Sequence, residues 1–305
     1  MSATIALQRC PRCGNENPAD SFSCSFCGMR LKMESIENLF LFRRIEDPWI
    51  SPLPWYMKIF YLFRDPAKSF WDINHKRNKS PGYIILLLNT LLWGLLGLAF
   101  VAHFRFKPAS VTPYYALTFF LVFLIFGFLF NLVFYAILAW FFIKGANYAV
   151  GFSERLEVRF GEDKKLKEIE KESEMSPFSI YKGGTLLQKQ EANKYKMLFC
   201  AFAPFLLINS IKVLIVLVAF PTINVDTTKK RFSVDIFNRI FNSPVWAVLD
   251  IMDAITVAVW IPILMTIAIR ELSNSSTYKV LISSLIIGIL VAIFFYFLRP
   301  TLLGV

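Results

Sequence analysis

Near the start of the chain, "CPRCGNENPADSFSCSFCG" sets Cys10, Cys13, Cys24 and Cys27 in two CxxCG knuckles separated by ten residues. Two residues between cysteines let both thiolates reach one tetrahedral ion, and the glycines that follow, Gly14 and Gly28, permit the positive backbone dihedral that turns amides toward sulfur. The chemistry expected is a structural zinc site, since four thiolates leave no open position for a substrate. Two disulfides are the competing reading, and they require an oxidising compartment.

A second group of reactive types lies where it is least expected. "FAPFLLINSIKVLIVLVAF" is apolar except for Lys212 and Asn209, and "WAVLDIMDAITVAVW" carries Asp250 and Asp253 three residues apart, on one helical face. Lys212 lies about 12 Å from the Phe220 end of its run at 1.5 Å per residue, and the two aspartates about 9 and 14 Å from Pro244. Antiparallel neighbours therefore bring one lysine and two aspartates to one level. Lone charges at that depth cost several kcal/mol, so pairing is expected, either as a fold-specifying contact or as part of an ion or proton path. Asn89 and Asn131 read as isolated amides, which leaves no second cluster to continue a path.

Hydrolytic chemistry finds no residues: neither HExxH nor GxSxG occurs, and two aspartates on one helix are not the two-helix dyad of an aspartyl protease. The chain reads as non-enzymatic. Cys200, inside an apolar run, reads as a small buried hydrophobe.

The elements that must position these groups follow from composition. Of 305 residues, 56% are hydrophobic and 16% aromatic, more than a soluble core absorbs, so the chain reads as an all-α polytopic membrane protein. Apolar runs at 83–101, 114–143, 197–220, 244–269 and 278–298 each reach the ~20 residues that a crossing needs. Five transmembrane helices are expected, making 83–305 the membrane domain. The second run is long, about 45 Å against about 30 Å of hydrocarbon, and is read as one tilted or extended helix rather than two short spans.

The net charge of +11 reports orientation. With five spans, 25 Lys and Arg fall on the side of the N-terminus and 7 on the other, which predicts a cytoplasmic N-terminus and an outside C-terminus. No basic stretch followed by an apolar run opens the chain, so the N-terminus is not expected to be exported. The cytoplasmic loop 151–196 mixes both charge signs and reads as a solvated helix or a disordered stretch.

Residues 1–33 form the ribbon, which is too small to bury a core without its metal. Its basic surface is thin (Arg9, Arg12, Arg30, Lys32), so a structural or protein-docking role is expected rather than nucleic acid. Residues 34–82 form a juxtamembrane segment in which Trp55, Arg64 and Trp71 are candidate interfacial anchors against the lipid bilayer, and Asp65 a candidate cap for a helix starting at Pro66. Recognition of anionic lipid and simple anchoring of the bundle are both open for this segment.

Three stretches taken together, "FRDPAKSFWDINHKRNKSPGYIILLLNTLLWG", "GGTLLQKQEANKYKMLFCAFAPFLL" and "WAVLDIMDAITVAVWIPILMTIAIREL", resemble the Yip family of five-span membrane proteins, named for interaction with Ypt/Rab GTPases. The resemblance covers residues 55–300, with a zinc ribbon fused in front. It implies five spans, a cytoplasmic N-terminus and a role in membrane trafficking or organisation through protein partners. A "DLYGP"-type motif of the trafficking members is missing, and "DPWISP" at 47–52 only echoes it, so binding of a small GTPase does not carry over. The function expected is a scaffold or adaptor with a cytoplasmic protein partner. A small transporter or channel using Lys212, Asp250 and Asp253 is the alternative.

Overall fold

A computed structural model describes residues 7–24, 27, 29–45, 51–75, 80–153, 194–226 and 243–303. Gly28, Gly183, Gly184 and nearly all of the 151–196 loop lie outside the described residues. Among the described residues, four helices are long and apolar enough to cross a membrane, and five if one bent pair counts as a single span. The chain divides into two compact units, the first comprising Met1–Gly82, Ala139–Ala201 and Pro262–Ile287, the second Tyr83–Leu138, Phe202–Ile261 and Gly288–Val305.

The first unit opens with the cysteine module, where β1 (Leu7–Arg9) pairs antiparallel with β2 (Glu16–Pro18). A helical hairpin follows, α1 (Trp55–Arg64) and α2 (Pro66–His75). Pro66 starts α2 because its missing N–H is one the first turn cannot use, and Asp65 caps it by accepting from the Lys68 backbone N–H at 3.3 Å. Lys58 on α1 and Asp72 on α2, both fully buried, join across the hairpin at 2.9 Å, and Asp72 also accepts from the Leu53 amide. At Gly82 the backbone of Lys196 passes so close that an added Cβ would lie 2.1 Å from its carbonyl oxygen, so only glycine fits.

The long helices are divided between the units, and within the second unit α3 (Gly82–Val101) and the part of α4 (Thr112–Val150) up to Leu138 pack through glycine notches. Gly97 receives the Phe123 ring and Gly127 the Trp93 side chain, with a Cβ at Gly127 falling 2.5 Å from that of Trp93. The second apolar run lies in one continuous 39-residue helix, about 58 Å long. The third run is broken: α5 (Lys194–Cys200) and α6 (Pro204–Ala219) meet at a 41° bend at residues 201–203, because Pro204 cannot donate to the turn before it. The fourth run extends beyond its expected end, as α7 (Val245–Ile255), a π-helical turn at Thr256–Trp260, and α8 (Ile261–Ser273). The last helix is α9 (Thr277–Leu303).

Two short strands absent from the sequence reading close one end of this unit, β3 (Phe104–Lys107) running parallel to β4 (Ile223–Asp226). Beneath them Phe100 stacks on Trp246 at 5.3 Å and meets Phe220 edge-on at 5.0 Å, in a cluster with Val101, Val225 and Leu249. Edge-to-face and offset aromatic contacts of this kind add about 0.5–1.5 kcal/mol each beyond their buried area.

Candidate metal centre and buried polar network

The four knuckle cysteines converge, with all four Sγ atoms within 4.8 Å of one another. Cys10 and Cys27 lie 3.6 Å apart, as do Cys13 and Cys24. A tetrahedron with metal–sulfur bonds of about 2.3 Å has edges of about 3.8 Å, so the spacing fits one metal ion held by four sulfurs. It is far from the ~2.05 Å of a disulfide, and none of the five cysteines is in a disulfide. Gly14 has φ +73°, the left-handed conformation expected after the first knuckle.

Electrostatics in the cluster favour a cation. Burial acts to raise the Cys10 thiol, but hydrogen bonds from the Cys13 and Arg12 backbone and from neighbouring thiols leave it below its ordinary value. Cys13 is the opposite case: the Asn15 backbone N–H lowers it, yet burial and the sulfurs of Cys27, Cys24 and Cys10 push it up to about 12. Four thiolates this close repel, and a divalent ion is what makes them compatible. Asn17, fully buried, donates to Cys24 Sγ at 3.5 Å and to the Asn15 carbonyl at 2.9 Å, tying both knuckles together.

The module is also attached elsewhere, which the sequence did not indicate. Ser23, next to the ligand Cys24, donates its backbone N–H and its hydroxyl to Asn274 Oδ1, each at 2.9 Å, and Asn274 Nδ2 donates back to the Ser23 carbonyl at 2.6 Å. Glu34 accepts from the Tyr278 amide at 3.0 Å, so a carboxylate from outside the helix caps the first turn of α9. Arg44 reaches Glu37 at 2.6 Å and the Ser275 carbonyl at 2.7 Å, and Glu37 accepts the Thr277 hydroxyl at 2.8 Å. Fully buried Arg270 donates to the carbonyls of Phe42 and Arg43. Residues 23–44 thus grip the whole turn between α8 and α9.

The interfacial candidates separate. Trp55 is 42% exposed and Arg64 is exposed, whereas Trp71 is buried at 6% and packs inside the unit instead of presenting its ring outward. Nearly all of α2 is enclosed, with Ala67, Ser69, Phe70, Asp72 and Ile73 buried as well, so Trp71 has no outward side to present.

In the second unit, Lys212 on α6 forms an ion pair with Asp253 on α7. The lysine side chain is 8% exposed and the carboxylate 42%, although α7 directs that side toward protein. Asp250, one turn earlier, is half-buried. Thr256 at the start of the π-helical turn is buried and bonds back to the Met252 carbonyl. Asn89 is not isolated: it donates to the Tyr135 hydroxyl at 2.8 Å and accepts from Asn209 at 3.1 Å. These three residues are buried and lie on α3, α4 and α6, and Asn209 is one turn from Lys212. Asn131 is buried with its Nδ2 unpartnered among the described residues. Hydrogen bonds thus join Tyr135, Asn89 and Asn209 across three helices, one turn from the lysine of the Lys212–Asp253 pair.

No family model matches the chain, no curated protein is significantly similar to it, and no solved structure matches its fold.

Proposed function

We propose that this protein is a non-enzymatic integral membrane scaffold or adaptor, with its N-terminus cytoplasmic, its C-terminus outside and a structural zinc ion on Cys10, Cys13, Cys24 and Cys27. The observation that carries the reading is the grip of residues 23–44 on the turn between α8 and α9. A metal module on a loose tether would sample many orientations, whereas this one is fixed by hydrogen bonds on both sides of the turn, as a docking platform requires. The closed all-thiolate set supports a structural over a catalytic ion. The basic bias supports the cytoplasmic placement, and the Yip-like layout supports a role in membrane organisation through protein partners. A small GTPase is one candidate partner from that resemblance alone, and its motif is missing.

The test is capture from native membranes with full-length protein. Specific partners recovered with wild type and lost with a Cys10→Ser, Cys24→Ser variant support the platform, while an inserted variant that retains every partner counts against it. Metal analysis of the same samples should give one zinc per wild-type chain and none in the variant.

A second reading, a small transporter or channel, is favoured by the Tyr135–Asn89–Asn209 chain beside the Lys212–Asp253 pair. Buried polar groups on several helices, near a bent span and a π-helical turn, are features of membrane solute sites. Flux of ions or protons into proteoliposomes, abolished by Asp253→Asn, would move the function to this reading.

A further inference from the structure

The turn gripped by the ribbon is itself unusual. Asn274 stands at φ +50°, a left-handed conformation that ends α8 and lets the chain reverse into α9 within Ser275 and Ser276. Its side chain makes three hydrogen bonds with Ser23, beside a longer one of 3.5 Å from Arg44, and Ser23 is covalently adjacent to a metal ligand. Apart from the metal, the cysteine module is held by the three-residue pairing of β1 with β2, a single bridge between Ser23 and Arg30, and scattered backbone bonds such as that from Cys24 to Met29. A module of that size does not keep its shape without its ion. The position of Ser23 is therefore set by metal occupancy, and the conformation of Asn274 is braced by the position of Ser23.

We propose that the four-cysteine centre is a sensor whose metal occupancy is transmitted through the Ser23–Asn274 clamp to the turn between the last two membrane helices. This rests on the metal reading above and goes beyond it, because a purely structural ion would stabilise the ribbon and stop there. The signal is loss of metal, whether to a competing chelator or through thiol oxidation, in which two thiolates give two electrons to an oxidant such as a disulfide, form one S–S bond and release the ion. With the ion gone Ser23 is freed, the Asn274 side chain loses its three bonds to Ser23 and keeps the longer one from Arg44, and the turn into α9 retains its contacts with Glu34, Glu37, Arg44 and Arg270. Those braces and the clamp act on the same five residues, 274–278, so releasing the clamp loosens the turn without melting it.

Amide hydrogen exchange on full-length protein in nanodiscs reads this directly. Stripping the metal from wild type with a chelator should speed exchange across residues 274–281 on the order of tenfold, and adding zinc back should restore protection. Asn274→Gly keeps the left-handed backbone but removes the clamp, so it should show fast exchange there from the start and no further response to chelator, while still binding one metal. Metal content measured on each sample separates the outcomes. Wild type that carries no metal overturns both the metal reading and this inference. Wild type that loses its metal with no change at 274–281 overturns this inference alone, as does an Asn274→Gly protein that responds like wild type.

Discussion

The two units bury charge in different ways. In the first, Lys58 and Asp72 are sealed from solvent on both sides and Arg270 is fully enclosed with backbone carbonyls as acceptors. In the second, Lys212 is enclosed but its partner Asp253 keeps 42% of its side chain open, and uncharged amides and a phenol extend the network. A sealed pair with every lone pair used is what a fold needs to hold one geometry. A half-open carboxylate is tolerable only where something polar, water or a solute, reaches it. The contrast assigns the first unit's charges to architecture and makes the second unit's the place to look for chemistry.

Breaking the sealed pair should have the largest effect. Lys58→Met leaves Asp72 buried without its cation and should cost about 3–5 kcal/mol in thermal unfolding, and a Lys58→Met, Asp72→Leu double variant should recover most of that. Equal losses in the single and double variants would show that the pair is not the structural element described here.

The thiol cluster gives the next effect. Cys13 is raised to about 12 without metal, so at neutral pH it is protonated until the ion arrives, and binding expels at least that proton. Affinity for zinc should therefore fall as pH falls, by about tenfold per pH unit for each proton released. Competition with a metallochromic chelator between pH 8 and pH 6 measures the slope, and a flat profile would contradict protonated ligands in the metal-free state.

Opening the half-exposed pair should matter less. Lys212→Leu should lower stability in detergent by about 1 kcal/mol, since the Asp253 side chain is only partly enclosed, and a Lys212→Leu, Asp250→Leu, Asp253→Leu triple should regain it. Additive losses in the triple would refute pairing, and a stable triple that fails in the partner or flux assay would mean the charges are kept for function. The smallest effect is expected at the amides, where Asn89→Leu should cost about 0.6 kcal/mol. A loss as large as that of Lys58→Met would erase the distinction between the units.

What was readable in the sequence was local. Two CxxCG knuckles and a charge inside an apolar run announce themselves within twenty residues, and so does the Asp65–Pro66 helix start. Asn89 looked isolated because its partners Tyr135 and Asn209 lie 46 and 120 positions away, and no spacing rule connects residues on different helices. Pairing of β3 with β4 was hidden for the same reason. Trp71 was misjudged because tryptophan beside lysine and arginine has the composition of an interface, while the helix that carries it is enclosed on nearly all sides. The 41° bend had a signal in Pro204, which fixes where a helix must restart but not by how much the axis turns.

The clamp also has a history within each molecule's synthesis. Ser23 and Asn274 are 251 residues apart, so the ribbon leaves the ribosome well before the turn that receives it exists. At about 5–20 residues per second the interval is roughly 12–50 s, during which the helices from α1 to α8 are still being made. Through that interval nothing on α8 or α9 can brace the ribbon, and early metal capture is the stabilisation open to it. If the four cysteines take up a metal, a shortage of it would be felt first in the nascent chain, where an unfilled ribbon meets proteases and foreign thiols before its own docking site has been made.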